Sequence, residues 1–201
     1  MKQLFSVLLA VIFYTTYTTA QSNNYQQNLY MDIHYIPGGK VTFEDVAEAH
    51  KKDLAVEKKF GVHFIRYWVD EKNGIVYCLS SAKDAAGIRE AHRLAHGLLP
   101  AEILAVTSGE EAASLNDHPF FLDIHELGPG NAGIKDVAAA HQKDLALQRA
   151  YGVTFINYWV NEKKGLVFCL SQAPAASKVL EVHRAAHGLL PKYIEQVKQG
   201  Q

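Results

Sequence analysis

Histidine is the residue type with the clearest chemical potential in this chain. Of its ten histidines, His92 and His96 lie four positions apart in a segment with helical periodicity, so both side chains lie on one helix face. Two imidazoles at this spacing can converge on one metal ion. His34, His50 and Asp53 lie on or beside the apolar faces of neighbouring predicted elements and could complete the ligand set. The pattern therefore indicates a metal site in the layer between helices and a sheet.

The same pattern occurs twice. When the sequence is shifted by 91 positions, residues 31–106 align with residues 122–197 without a gap, and about 40 of the 76 positions are identical. The shift places the candidate ligands on a second set, which is His125, His141, Asp144, His183 and His187. His63 and His118 have no matched histidine, so we expect them to be surface residues. The chain therefore contains two equivalent candidate sites.

A structural role is the main alternative for these histidines. A histidine near a core often forms hydrogen bonds without binding a ligand. Arg93 and Arg184, next to His92 and His183, oppose a bound cation unless the helix turns them outward. The His-Glu-x-x-His motif of zinc proteases does not occur. Imidazole and carboxylate ligands together suit Ni²⁺, Zn²⁺ or Cu²⁺ and do not distinguish among them.

Composition argues against several other classes of protein. The 20 basic and 21 acidic residues give a net charge of −1, without the basic excess that nucleic-acid-binding proteins usually have. Cys78 and Cys169 are too few for a disulfide-dense scaffold. They fit buried positions on matched strands, and the alternatives are a thiolate ligand or a disulfide between the two copies. No motif for nucleophilic catalysis or phosphate binding occurs. The expected partner is a divalent metal ion, not nucleic acid.

The first twenty residues have the layout of a secretory signal peptide. Lys2 precedes an apolar stretch over residues 4–14, which is too short to cross a bilayer comfortably, and small residues follow before Gln21. An uncleaved membrane anchor is the alternative. Residues 21–28 are polar, which is typical of a disordered leader. We therefore expect a periplasmic or secreted chain that has no membrane span after cleavage.

The remaining chain divides into a first repeat (29–106), a linker (107–118) and a second repeat (119–201). Each repeat has the predicted order β-α-β-β-α-β. In the first repeat the predicted elements are a strand over 30–36, a helix from Thr42 to about Lys59, strands over 62–70 and 75–80 joined by an Asn73-Gly74 hairpin, a helix from Asp84 to Gly97, and a strand over 101–106. This order predicts an α+β, ferredoxin-like unit with two helices on one face of a four-stranded antiparallel sheet.

Both faces of each predicted sheet are apolar. A two-residue turn at 73–74 would place Val69 opposite Cys78 and Trp68 opposite Leu79. The predicted faces are then Phe64, Trp68, Tyr77 and Leu79 on one side, and Ile65, Tyr67, Val69, Val76 and Cys78 on the other. Helices cover one face and the other needs a partner, which the second repeat supplies. We therefore expect two sheets packed face to face as an intrachain pseudo-dimer of α+β-barrel type, with further oligomerisation left open.

The combined motifs resemble a known family. They are Ala-His-x-x-Asp-Leu at 49–54, Gly-Val followed by Tyr-Trp-Val at 61–69, Tyr-Cys-Leu at 77–79 and His-Arg-x-Ala-His-Gly at 92–97, with matched copies at 140–145, 152–160, 168–170 and 183–188. They are similar to the small nickel-binding proteins of ferredoxin-like fold, a family otherwise labelled a domain of unknown function. The resemblance implies one βαββαβ domain per repeat, sheet-to-sheet dimerisation and nickel binding. Those relatives have a single repeat, so the tandem copy here could complete the dimer within one chain.

Three functional hypotheses follow. The leading one is a non-catalytic, extracytoplasmic metal-binding protein for storage, buffering or sensing. The rival is a small α+β-barrel enzyme whose pocket between the sheets is lined by Trp68, Trp159 and Arg66; Arg66 matches Asn157, as an asymmetric pocket would allow. The third is an interaction module in which the histidines only stabilise the fold. A ligand between the sheets would favour the enzyme, whereas an ion under the helices would favour metal binding.

Overall fold

Two βαββαβ units make up the chain, as the repeat predicts. The computed structural model describes residues 28–109, 111–113 and 117–201. The first unit contains β1 (Asn28–Tyr35), α1 (Phe43–Phe60), β2 (Val62–Asp70), β3 (Ile75–Ala82), α2 (Ala85–Ala95) and β4 (Glu102–Ser108). The second contains β5 (Phe120–Glu126), α3 (Ile134–Tyr151), β6 (Thr154–Asn161), β7 (Leu166–Gln172), α4 (Ala176–Ala186) and β8 (Tyr193–Gly200). The predicted signal peptide and residues 21–27 lie outside the described residues, and Asn28, predicted in the leader, begins β1.

The two sheets join at both edges into a closed eight-stranded barrel. Within each unit the strand order is β4-β1-β3-β2 or β8-β5-β7-β6, and all neighbours are antiparallel. Strand β2 pairs with β8, and β4 pairs with β6. The inner faces of the two sheets therefore face each other, with the helices outside. The predicted α+β, face-to-face architecture is confirmed.

Barrel closure uses the first part of the predicted linker. Thr107 and Ser108 belong to β4 and pair with Val160 and Trp159. Gly109 continues this seam, because its N–H donates to the carbonyl of Tyr158 at 2.8 Å. Segment 107–109 is therefore part of the sheet and not a loop.

Capping residues explain where α1, the helix that carries Asp53, begins and ends. Thr42 and Asp45 form a reciprocal capping box at the start of α1. Gly61 ends the helix with a left-handed backbone (φ 63°), and its N–H binds the carbonyls of the last turn. The face of α1 that meets the sheet buries Val46, His50 and Asp53.

The barrel interior is a packed apolar core. Trp68 and Trp159 meet at its centre with ring centroids 4.9 Å apart, and their exposed fractions are 0% and 1%. Tyr77 and Leu79 also point inward, as predicted, while Tyr67 and Cys78 face the helices.

The predicted faces of Phe64 and Ile65 are wrong. A β-bulge between Phe64 and Arg66 interrupts the alternation, because the extra residue on a bulged strand shifts the sequence by one face. Phe64 consequently packs under the helices with Ile88, and Ile65 packs against the barrel core.

The hairpin between β2 and β3 also differs from the prediction. Trp68 lies opposite Tyr77 and Val69 opposite Val76, so the turn has four residues, 71–74. Asp70 stabilises this longer turn by accepting hydrogen bonds from Asn73. The register differs by two residues, which preserves the face of each side chain beyond the bulge.

Candidate metal centres

His92 occupies the centre of the layer between helices and sheet in the first unit. It lies on α2, and its exposed fraction is 1%. Its Nδ1 is 3.0 Å from Asp53 Oδ1 on α1, and its Nε2 is 3.5 Å from Asp32 Oδ1 on β1. One imidazole thus lies between two buried carboxylates that come from different elements.

His96 completes a compact cluster on the helix side. It follows the last turn of α2, and its Nε2 is 3.2 Å from His92 Nδ1 and 3.3 Å from Asp53 Oδ2. The backbone N–H of Leu98 donates to its Nδ1 at 3.1 Å, which leaves Nε2 directed at the cluster. Asp53, His92 and His96 therefore hold three potential ligand atoms within 4.8 Å of one another.

His34 lies on the strand side of the same layer. Asp32 and His34 share the outer face of β1, and His34 Nε2 is 3.1 Å from Asp32 Oδ1. The rings of His34 and His92 meet edge to face at 5.1 Å. Asp32, His34 and His92 form a second group with ligand atoms within 4.8 Å, and it shares His92 with the first.

The second unit reproduces this arrangement. His183 Nδ1 is 3.1 Å from Asp144 Oδ1 and 3.2 Å from His187 Nε2. On the strand side, His125 Nε2 is 3.0 Å from Asp123 Oδ1. The agreement between the units shows that the cluster follows from the repeated residues and not from one local accident of packing.

His50 and His141 lie next to the clusters but outside them. His50 packs against Tyr67 with ring centroids 4.8 Å apart, and His141 packs in the same way against Tyr158. Each lines a small cavity beside its cluster, of about 40 Å³ in the first unit and about 70 Å³ in the second. The other predicted ligands of each unit line the same cavity. Among the described residues, all ten candidates therefore lie at two sites. Eight of them belong to groups whose potential ligand atoms lie within 4.8 Å of one another.

Asp32 and Asp123 are the site residues that the sequence prediction omitted. Both are fully buried and lie two positions before His34 and His125. Strand alternation places residues two apart on one face, and the Asp-x-His pattern recurs in both repeats. That pattern was the available signal, whereas the helical spacing of the histidines carries no information about a carboxylate on the strand.

The carboxylates control the charge state of the central histidines. Burial alone would lower the pKa of His92, but the carboxylates of Asp32 and Asp53 beside the ring outweigh it and raise the pKa to about 9. In the same way the pKa of His183 is raised to about 10, against burial, by Asp123 and Asp144. Each site thus has two buried carboxylates around one imidazole and favours a cation there.

At the two sites, four buried polar atoms have no hydrogen-bond partner among the described residues: Asp32 Oδ2, His92 Nε2, Asp123 Oδ2 and His183 Nε2. Unpaired buried polar atoms are costly and require an explanation. A divalent ion held by His92 Nδ1 would leave the imidazole proton on Nε2, directed at Asp32, which is the carboxylate–histidine–metal arrangement common in metalloproteins. The donor set therefore fits a transition metal.

The neighbouring cationic and thiol groups do not oppose this assignment. Arg93 and Arg184 are exposed and point away from the layer. Cys78 and Cys169 are free and buried, and burial, reinforced by nearby aspartates, raises the pKa of each thiol well above its usual value. Cys169 lies within ligand distance of Asp123 and His125.

The pocket expected by the enzyme hypothesis is filled at its centre. Trp68 and Trp159 pack on each other instead of lining open space. Arg66 pairs with a carboxylate, its Nη1 lying 2.8 Å from Glu111 Oε1. The histidines of both clusters lie on the other side of the sheets, so no acid–base histidine of either cluster meets these three side chains.

Fold and site together define a tandem α+β barrel with one buried Asp–His cluster under the helices of each unit. The chain belongs to the nickel responsive protein SCO4226-like family, whose profile matches residues 30–106 and 121–197. The recognised resemblance to nickel-binding proteins is thereby confirmed, and a metal-related role follows at the level of the family.

Solved structures provide further comparisons. SCO4226 from Streptomyces coelicolor A3(2) is 36% identical over 43% of this chain and 99% of that chain, with a TM-score of 0.35. A heme-binding protein from Thermus thermophilus is 10% identical over 87% of this chain and 91% of that one, with a TM-score of 0.41. Comparison with curated protein sequences finds no match. Within the described residues, no helix has the length and apolar character needed to cross a membrane.

Proposed function

We propose that the chain binds one divalent transition-metal ion of the nickel type in each unit, and that it serves metal storage, buffering or sensing outside the cytoplasm. The ligands in the first unit are Asp53, His92 and His96. Those in the second are Asp144, His183 and His187. Zn²⁺ and Cu²⁺ suit the same imidazole and carboxylate donors.

The observation that supports the proposal most strongly is the environment of the central histidine. His92 Nδ1 lies 3.0 Å from the buried carboxylate of Asp53. Its Nε2 is buried 3.5 Å from the carboxylate of Asp32 and has no hydrogen-bond partner. A histidine that only stabilised the core would pair both nitrogens. Asp32, held by His34, is placed to orient His92 when its other nitrogen binds metal.

Access and coordination number also fit a binding site. His96 is only partly buried, whereas Asp53 and His92 are buried, so an ion can enter past His96 and its loop. The small cavity beside the cluster is lined by His50 and Cys78. That space can accept a water ligand or a side-chain ligand beyond the three named.

A calorimetric titration tests the proposal. The protein is purified without a histidine tag, stripped with a chelator and titrated with Ni²⁺, Zn²⁺ and Cu²⁺. We expect two ions per chain with dissociation constants of about 1 μM or tighter, since two imidazoles and a carboxylate are preassembled. His92→Ala/His96→Ala should leave one ion, as should His183→Ala/His187→Ala, and the combined variant should bind none.

His63→Thr provides the matched control, because the second unit has Thr154 at that position and His63 is exposed. It should bind two ions. Absence of micromolar binding to the wild-type protein would refute the metal proposal. The location is checked on the same preparation, made in a secreting host, by mass spectrometry: the proposal requires an N-terminus at or near Gln21, and an intact Met1 would contradict it.

A further inference from the structure

A cavity of about 350 Å³ opens at one end of the barrel, on the opposite side of the sheets from the metal centres. Its lining comes in matched pairs from the two units, such as Ile33 with Ile124 and Tyr77 with Phe168. The cavity therefore lies where the units meet about their pseudo-twofold axis. Cavities of this size accept small organic molecules.

The two halves of this cavity are chemically different. Glu195 points into the barrel from β8, whereas the matched residue on β4 is the core residue Leu104. Tyr77 donates a hydrogen bond of 2.7 Å to Glu195 Oε2, whereas its counterpart Phe168 has no hydroxyl. A symmetric homodimer could not place a single carboxylate and a single phenol here, but a tandem chain can.

Glu195 lacks a positive partner among the described residues. Its exposed fraction is 9%, and the Tyr77 hydroxyl is neutral. Lys164 and Lys192 pair instead with the rim carboxylates Glu102 and Glu126. Burial raises the pKa of Glu195; the hydrogen bond from Tyr77 lowers it only in part, and the charge of Asp70 raises it again.

Aromatic side chains surround this carboxylate. Tyr35 and Tyr193 stand at the rim with large exposed ring surfaces, and Tyr77 and Phe168 meet edge to face at 6.2 Å deeper inside. Among the described residues, no lysine, arginine or histidine lines the cavity. A buried carboxylate with aromatic and aliphatic walls is the combination that attracts an organic cation, by charge and by cation–π contact.

We propose that this barrel-end cavity binds a small organic amine, with the ammonium group at Glu195 and the apolar part between Tyr35 and Tyr193. The site is independent of the metal centres, because none of their residues lines it.

Benzylamine is the probe, and benzyl alcohol and benzoate are its neutral and anionic analogues of similar shape. Binding to the full chain is followed by NMR titration at neutral pH. We expect benzylamine to saturate with a dissociation constant of about 1 mM or tighter. Each analogue should bind at least about tenfold more weakly, because only the amine pairs with a buried carboxylate.

Glu195→Gln should weaken benzylamine binding at least about tenfold while leaving nickel uptake unchanged. Glu48→Gln, an exposed carboxylate on α1, is the control and should bind like the wild type. If Glu195→Gln does not fold, Glu195→Leu replaces it, since Leu104 occupies the matched core position. Three outcomes would each overturn the proposal: benzyl alcohol binds as tightly as benzylamine, the Glu195 variant keeps its affinity for benzylamine, or benzylamine shows no saturable binding. None of these outcomes bears on the nickel titration.

Discussion

At the scale of single residues, the central histidines combine two opposing effects. Burial disfavours a charged imidazole, but two carboxylates beside each ring favour it more strongly. The metal-free protein therefore holds a proton where the loaded protein would hold an ion. With the proposed ligands, proton and metal would compete for His92 and His183, so the affinity for metal should increase with pH.

This competition predicts how metal-free stability depends on pH. The pKa of His92 is about 9 and that of His183 about 10 in the folded chain, against about 6.5 when unfolded. A histidine whose pKa is higher in the folded state stabilises the folded protein fully when the pH is below its unfolded-state pKa. This stabilisation is lost as the pH rises through its folded-state pKa. The melting temperature of the metal-free protein should therefore fall between about pH 7 and pH 10.

Calorimetric scans of wild type and His92→Gln/His183→Gln across that range provide the check. The variant should show a flatter profile, because its glutamines do not titrate. Saturating Ni²⁺ should remove the decline in the wild type, since the ion replaces the proton. A wild-type melting temperature that rises over this range would contradict the assignment. Below pH 7 the lowered pKa values of His50 and His141, caused by burial, act in the opposite direction.

At the scale of elements, the seams that close the barrel depend on two matched glycines. A Cβ on Gly109 would lie 2.2 Å from the ring of Tyr158, and one on Gly200 would lie 2.1 Å from the ring of Tyr67. These are backbone positions pressed against buried aromatic rings, not turns. The close approach lets β4 reach β6 and β8 reach β2.

Gly109→Ala should destabilise the protein by about 1–3 kcal/mol, because the ring of Tyr158 must move within a packed layer. Gly200→Ala should destabilise the protein in the same way, because the ring of Tyr67 must move. Urea denaturation measures both. Thr107→Ala, an exposed side chain on the same strand, is the control and should change stability by less than about 0.5 kcal/mol. If Gly109→Ala leaves the free energy of unfolding unchanged, Gly109 is not closely packed against the ring of Tyr158.

Element order was predictable from sequence, but local irregularities were not. Gly61 and the Thr42 cap mark α1 through backbone preferences that act within a few residues. The bulge at Ile65 leaves no such signal, because Phe64 and Ile65 are both apolar and fit either face. The four-residue turn was missed because Asn73-Gly74 suggests the shorter hairpin, while Asp70 favours the longer one through its side-chain bonds.

The candidate site was predictable only where it depends on neighbouring residues in the sequence. Helical spacing places His92 beside His96 through local geometry alone. The approach of Asp53 to His92, 39 positions apart, depends on α1 packing against α2. Their proximity could only be guessed from the apolar stripes that carry both residues.

At the scale of the whole molecule, duplication within one chain allows the two units to diverge where they meet. The Asp–His clusters lie away from the pseudo-twofold axis, and they retain the same residues in both copies. Some residues near the axis differ, as Leu104 and Glu195 show, whereas Trp68 and Trp159 are the same. A single unit would expose its inner sheet face and the unpaired edges of β2 and β4, so it needs a second unit to fold stably.

The divergence predicts different behaviour for the separated halves. Residues 28–113 alone should form a homodimeric barrel, because the interior then contains Leu104 and Tyr77 from each copy, which are compatible with a core. Residues 117–201 alone would bring two Glu195 carboxylates together without the Tyr77 hydroxyl, so their dimer should be at least about tenfold weaker. Sedimentation velocity over a range of concentrations measures both constants. Glu195→Leu should restore dimerisation of the second half to the level of the first. If the two halves dimerise equally without that change, the buried Glu195 carboxylates do not destabilise the second dimer. The asymmetry of the barrel end would then not explain why the two units need to be in one chain.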